Sequence, residues 1–333
     1  MNEIYTADYY YESPSPVSTG MGVREIERFF SFFESCSIKP AKVLEIACFD
    51  GYLLAKLQKL GWDVYGCDPS QITKNAVKMF GEERIVNDFF TKETFPPVSF
   101  DVIIFRNLLE HLYDIHDFIQ AVFQVLKPGG KIFIDVPNIK ALLDVGGFGT
   151  FFHQHISYFS LQTLSQLLTQ NNFEVKKNYE GSPNLFVCAQ KRLDDDNTKS
   201  EKVIKKFQEV EKEKQYFLNA FQKIESRIET IFKNPDNRII AIFGASALAT
   251  AIINFLPKNL ANKIKYIYDN DPLKHGKVLF GCKTPITPPS KIRDTDFDVL
   301  LVSTYFFDEE IFQQLIEMGV DTNKIALLHK TVS

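Results

Sequence analysis

Between Lys42 and Gln190, short apolar runs of strand composition alternate with amphipathic helical stretches, and that rhythm admits few folds. The runs are Lys42–Ile46, Asp63–Cys67, Asp101–Phe105, Lys131–Val136, Phe173–Tyr179 and Asn184–Gln190. They predict a mostly parallel sheet with helices on both faces, a Rossmann-like α/β domain over residues 41–192. From Leu193 the composition turns abruptly to Asp, Lys and Glu, yet Ile204, Phe207, Phe217, Phe221, Ile224, Ile228 and Ile231 keep a helical apolar stripe. A long linker helix over 193–237 is expected, packed on one or both domains. Because the stripe runs close to a heptad spacing, pairing between copies is the alternative, so monomer and homodimer both stay open. Beyond Asn237 the alternation restarts, with Arg238–Phe243, Ile264–Asp269, Val299–Ser303 and Lys324–Leu328 as strands. This is a second, smaller Rossmann-like α/β domain over 238–333. Residues 1–40 form an N-terminal arm, in which Tyr5 to Gly20 mixes four tyrosines with Ser and Pro, followed by a helix from Gly22 to Phe33.

The chain of 333 residues, 45% apolar, can fill two cores. A net charge of −4 with both signs interspersed leaves no basic footprint for a nucleic acid. No apolar run approaches the roughly 20 residues that cross a bilayer, and the acidic, Tyr-rich N-terminus lacks the order of a signal peptide. No membrane partner is expected, and the location expected is cytoplasmic. The five cysteines are widely spaced and include no C-x-x-C pair, which points to reduced thiols.

The first strand runs into Glu45-Ile46-Ala47-Cys48-Phe49-Asp50-Gly51-Tyr52, a strand, a turn with one glycine and the start of an apolar helix. In an open α/β sheet, ligands lie beyond the carboxyl ends of the strands, and this turn faces that crevice. A glycine there allows close backbone approach, Glu45 can attract a cationic group, and N–H groups at the helix start can hold a carboxylate. Asp68, followed by Pro69, closes the second strand, where a carboxylate can accept hydrogen bonds from ribose hydroxyls. Taken alone, this is also what a structural βα turn looks like.

Further along the same domain stand Asp88-Phe89-Phe90, Arg106-Asn107-Leu108-Leu109-Glu110-His111 just after the fourth strand, and Leu126-Lys127-Pro128-Gly129-Gly130-Lys131 before the fifth. In this order and spacing the motifs resemble those of the class I methyltransferases over about residues 40 to 190. The resemblance implies S-adenosylmethionine as methyl donor, with Asp68 and Pro69 at the ribose and Asp88 and Phe89 at the adenine. Glu45, Ala47, Gly51 and Tyr52 would hold the methionine part, with Arg106, Asn107 and His111 nearby. NAD fits this turn poorly, because the second and third glycines that admit a pyrophosphate are missing.

After the fifth strand and Asn138 comes a Gly-rich, aromatic loop, Gly146 to Ser160, that holds His153 and His155, two of the six histidines. A neutral imidazole can take a proton near pH 7, from a carbon acid beside a carbonyl, a hydroxyl or an amine. Ser160 can cap the helix that follows. With no cysteine or carboxylate close in sequence to complete the pair, no metal site is expected.

Phe152-His153-Gln154-His155-Ile156-Ser157-Tyr158-Phe159-Ser160, together with Gly244-Ala245-Ser246-Ala247 in the second domain, is similar to the sugar C-methyltransferases, which methylate C3 of a 4-keto, deoxy nucleotide-linked sugar. That resemblance implies His155 as the base that forms the enolate, with His153, Gln154 and Tyr158 beside it. It further implies substrate contacts from Tyr9, Tyr11, Ser13, Asn138, Phe152, Gly244, Ser246 and Lys277. Phe152 and Gln154 stand where the family has Tyr and Glu, which removes a hydroxyl and a carboxylate from beside the imidazole. O- or N-methylation, or a binding protein with a decayed base site, therefore stay open. The family's N-terminal cysteine cluster has no counterpart, so no zinc is expected.

In the second domain, Gly244-Ala245-Ser246-Ala247-Leu248-Ala249 is a degenerate dinucleotide turn, and Asp269 ends the next strand where NAD proteins bind ribose. A phosphate-binding role, a nicotinamide site and a purely structural domain are the three readings.

Overall fold

The computed structural model describes residues 20–151, 154–181, 183–193, 203–304 and 307–328. The chain divides into two compact units, 1–139 with 154–197, and 140–153 with 198–333. The first contains strands β1 (Lys42–Ile46), β2 (Asp63–Cys67), β3 (Ile85–Val86), β4 (Phe100–Arg106), β5 (Leu126–Pro137), β6 (Phe173–Glu180) and β7 (Asn184–Lys191). Their order is β3-β2-β1-β4-β5-β7-β6, parallel from β3 through β5 and antiparallel where β7 meets β5 and β6. The direction of winding reverses at β1, so the crevice expected from the sequence opens at its carboxyl end and that of β4.

The central strands are buried on both faces, as crossover helices require. Leu44, Ile46, Ile103 and Ile134 pack into one core, and Val43, Ile104 and Phe133 into the other. On the second face the helix Gly20–Glu34 brings Phe32 and Phe33 against Phe133, and Phe29 edge-on against Phe186. That helix therefore completes the sheet's cover. Among the other helices, Ile115–Val125 is started by Asp114, whose side chain accepts from the Asp117 amide, and it buries Ile119, Val122 and Val125 at helical spacing. The fifth strand begins at Leu126 rather than Lys131. It takes in the Pro-Gly-Gly segment through a register shift against β4 between Phe100 and Val102, with Gly129 at φ +71°.

The second unit contains β8 (Ile240–Phe243), β9 (Ile264–Tyr268), β10 (Ile286–Thr287), β11 (Val299–Val302) and β12 (Ile325–Leu327), all parallel in the order β10-β9-β8-β11-β12. The long helix, Val203–Lys233, belongs to this unit. Ile224, Ile231 and Phe232 are buried, Arg227 donates to the Leu327 carbonyl, and Lys263 donates to the Phe232 carbonyl. The C-terminal end of the helix thus packs on the second domain's own core, while Phe221 in the same stripe is exposed. Residues 140–153 also group with this unit, although the strand rhythm puts them inside the first domain. Gly149 lies so close to the helix Ala247–Phe255 that a Cβ there would stand 2.5 Å from the Leu248 nitrogen. All five cysteines are free thiols. Among the described residues, no helix is long and apolar enough to cross a membrane.

Candidate active site

The turn after β1 is held in an uncommon backbone shape. Ala47, Phe49 and Gly51 all have positive φ, at +61°, +51° and +81°. Non-glycine residues reach this region at a cost, and such residues gather where backbone must meet a ligand. What stabilises the turn is the neighbouring strand. Ala47 N–H and Cys48 N–H both donate to the Cys67 carbonyl, at 2.8 and 3.2 Å, and Phe49 N–H donates to Asp68 Oδ2 at 3.1 Å. Gly51 has a second constraint besides its φ, since a Cβ would stand 2.9 Å from Ala76 Cβ and 3.0 Å from Phe80 Cε2. Gly51→Ala is expected to lower stability by about 1–3 kcal/mol, because the strain and the contact against a packed helix act together. The check is thermal unfolding with and without S-adenosylhomocysteine, and an unchanged midpoint in both would contradict it.

Two carboxylates flank this turn, and they differ in how their oxygens are partnered. Glu45 is 4% exposed, and burial pushes its carboxyl up to about 8, against the opposing pull of Arg106 and with help from Asp50 and Asp68. Its Oε2 has no hydrogen-bond partner among the described residues. Such an orphaned acceptor is what an incoming cation would satisfy. Asp68 is better supplied: Oδ1 accepts from Ser70 N–H at 2.8 Å, from the Ser70 hydroxyl and from Thr73 Oγ1 at 3.1 Å. Among the described residues Oδ2 accepts from Phe49 N–H, and its second lone pair could take a ribose hydroxyl. Pro69 follows in a bend that Asn87 fastens by donating to the carbonyls of Asp68 and Ser70, both at 2.8 Å. Asp88 is exposed and caps the Phe89 amide at 2.7 Å, with the Phe89 ring half-buried beside it.

At the end of β4, Arg106 is not a free cation. Its Nε donates to Asp135 Oδ2 at 3.1 Å, the guanidinium lies over the Phe29 ring, and Asn184 donates to the other Asp135 oxygen at 2.6 Å. Arg106 is thus held at the end of β4 by Asp135 and Phe29. Asn107, at φ +47°, is exposed and beside the crevice. Asn138 is buried, donating to the Gly181 carbonyl and bridged to Phe159, so it ties strand to loop.

His111 lies with the second histidine loop. Its ring meets that of His155 edge-on at 4.9 Å, and its Nδ1 lies 2.9 Å from the Gln154 carbonyl. A carbonyl only accepts, so Nδ1 carries the proton and Nε2 offers a lone pair. Burial holds the His111 imidazole below the usual histidine range. The residue that sequence reasoning missed is Glu110, 2% exposed, whose carboxyl burial pushes up to about 8, with Asp135 adding to the shift. Its Oε1 stands 3.9 Å from His111 Nε2. The Glu110 carbonyl accepts from Ile156 N–H at 2.7 Å and Ser157 N–H at 3.2 Å, which pins the histidine loop to β4. Glu110, His111 and His155 offer donor atoms that all lie within 4.8 Å of one another. This corrects the expectation that no carboxylate completes a site around the histidines. The carboxylate comes from a segment far along the chain, and its only signal was the Glu-His pair next to a strand end. Tyr158 lies further out, with its ring 6.3 Å from that of His155, and Ser160 caps the next helix through a reciprocal pair with Thr163. Tyr9, Tyr11, Ser13, Phe152 and His153 lie outside the described residues.

In the second unit, Gly244 at φ +100° leads into Ser246, whose hydroxyl caps the helix Ala247–Phe255 and donates to the Ser303 carbonyl at 2.7 Å. Asp269 accepts from Ala245 N–H, Asp271 N–H and Lys274 Nζ. That carboxylate braces its own loop, as Asp68 does in the first unit. Lys277 is exposed.

Two family models match the chain: one described as a methyltransferase domain over residues 22–178, the other as a C-methyltransferase C-terminal domain over 181–327. C-methyltransferase NovU of Streptomyces niveus is 25% identical over 296 residues, covering 83% of this chain and 70% of NovU. The mitochondrial ubiquinone biosynthesis O-methyltransferase of Homo sapiens is 30% identical over 158 residues, 40% of this chain and 42% of that protein, so the match spans less than half of it. Among solved structures, the 1,6-didemethyltoxoflavin-N1-methyltransferase of Burkholderia thailandensis, with S-adenosylhomocysteine bound, aligns with a TM-score of 0.41 at 17% identity, over 50% of this chain and 78% of that one. With the two models together spanning nearly all of the described residues, the chain is an S-adenosylmethionine-dependent methyltransferase that carries the C-terminal domain of the C-methyltransferases.

Proposed function

We propose that this enzyme methylates carbon C3 of a 4-keto, deoxy sugar linked to a nucleotide, with His155 as the base. The observation that carries the reading is the placement of two sites at one sheet edge. The donor turn ends β1, the Glu110–His111–His155 cluster ends β4, and these strands are neighbours. In this reading, Asp68 takes the ribose, Asp88 and Phe89 the adenine, and Glu45 the charged amino end of the donor. His155 removes the proton from the carbon beside the ketone, and the electron pair left behind is shared with the carbonyl oxygen as an enolate. That carbon then attacks the sulfonium methyl group, the carbon–sulfur bond breaks, and its electrons stay on sulfur as the neutral thioether. Two half-buried imidazoles side by side, with His111 held below the usual histidine range by burial, suit proton removal from a weak carbon acid.

O-methylation is the second reading, supported by the O-methyltransferase relative, since the same base could deprotonate a hydroxyl. Incubation with methyl-labelled S-adenosylmethionine and a panel of nucleotide-linked keto sugars decides between them. The expected product gains one methyl group with a carbon-bound NMR signature. An oxygen-bound methyl would favour the second reading, and no product from any keto sugar would remove the first.

A further inference from the structure

We propose that Glu110, His111 and His155 form a binding site for a divalent transition-metal ion, and that its occupation takes away the lone pair His155 uses as a base. The inference rests on the base role given to His155 above and concerns the regulation of that site. Three observations support it. Two imidazoles and one carboxylate are a donor set suited to zinc, cobalt or iron, whereas magnesium and calcium prefer oxygen alone. Their donor atoms lie within 4.8 Å of one another, and His111 Nε2 stands 3.9 Å from Glu110 Oε1. That distance is too long for a hydrogen bond, yet it is near the spacing of two ligands on one ion with bonds of about 2.0–2.2 Å.

The second observation is the supporting shell. His111 gives its Nδ1 proton to the Gln154 carbonyl, which fixes the tautomer and turns the Nε2 lone pair toward the carboxyl. Ligating histidines are held this way by a carbonyl on the far nitrogen. The Glu110 carbonyl, through Ile156 and Ser157, locks the His155 loop to the same strand end. The third is that Glu110 Oε2 is buried without a hydrogen-bond partner among the described residues, an expense that a bound cation would offset. The three ligands leave at least one coordination position open for water or a substrate oxygen.

The test uses the full chain, stripped with a chelator and titrated with cobalt(II) in the absence of substrate. Visible absorption bands that saturate at a single ion per chain, and that zinc bleaches, are expected. Glu110→Gln, His111→Ala and His155→Ala should each weaken cobalt binding by at least about tenfold, the lower end of what losing even a supporting residue costs. A cooperative thermal unfolding transition close to that of the parent chain in each variant shows that it is folded. Zinc should also suppress solvent deuterium exchange at the sugar carbon beside the ketone. Absence of the bands, bands that persist in His155→Ala, or exchange unchanged at saturating zinc would overturn the proposal. The base role fails separately: cobalt bands in the parent chain together with full turnover in His155→Ala would leave the metal site standing and remove the base.

Discussion

His155→Ala is expected to lower turnover by about 10²–10⁴-fold while leaving the affinity for S-adenosylhomocysteine unchanged. The size follows from what a positioned base supplies when it removes a proton in the rate-limiting step. The selectivity follows from where the residue stands. His155 shares its surroundings with His111, Glu110 and Tyr158, and the donor's expected contacts, Glu45, Gly51 and Asp68, are carried by β1, β2 and the turn between β1 and its helix. A variant that loses turnover and donor binding together would have lost its fold or the geometry of the sheet edge, so it would not bear on the base. Turnover measured with the donor saturating, beside calorimetry with the demethylated product, separates the two. Unchanged turnover would remove His155 from the chemistry and move the proton acceptor to another residue.

The strands were the most legible part of this fold, because a central parallel strand is an uninterrupted apolar run with little else it can be. β1 and β2 begin and end where the pattern puts them, and β8 to β12 agree within about two residues except for β10, whose two residues are too few to make a pattern. The turn after β1 was legible as a strand-to-helix turn because its residues are contiguous. What escaped was whatever depended on which distant side chain meets which. Nothing in the sequence around Glu110 signals that it is buried or that its carbonyl anchors the loop at Ile156 and Ser157. Arg106 reads as a cation for the donor, and only the pairing of β4 with β5 sets it beside Asp135. Residues 140–153 carry no periodicity that could say which core they feed.

Donor binding is expected to tighten as pH rises from about 6 to 8, by up to about tenfold per unit, with release of a proton. In the free protein, burial holds the Glu45 carboxyl up to about 8, so at neutral pH it is mostly protonated, with Arg106 pulling it down and Asp50 and Asp68 pushing it up. A donor that brings a positively charged amino group to this carboxyl favours the ionised form. Binding therefore lowers the carboxyl's pKa, and below about 8 the site must lose a proton before it can make its best contact. Raising the pH removes that cost, and the gain stops once Glu45 is ionised in the free protein. Above about 8 the donor's own amino group, with an ordinary pKa of about 7.7–8.0, loses its charge and the affinity falls again. Calorimetry of S-adenosylhomocysteine in phosphate and in Tris, whose heats of ionisation differ, should reveal the released proton directly. In Glu45→Gln the rise between pH 6 and 8 should disappear, since an amide cannot ionise. Affinity flat over that range in the parent chain, or proton uptake instead of release, would mean that the amino group docks elsewhere and that Glu45 serves only the turn.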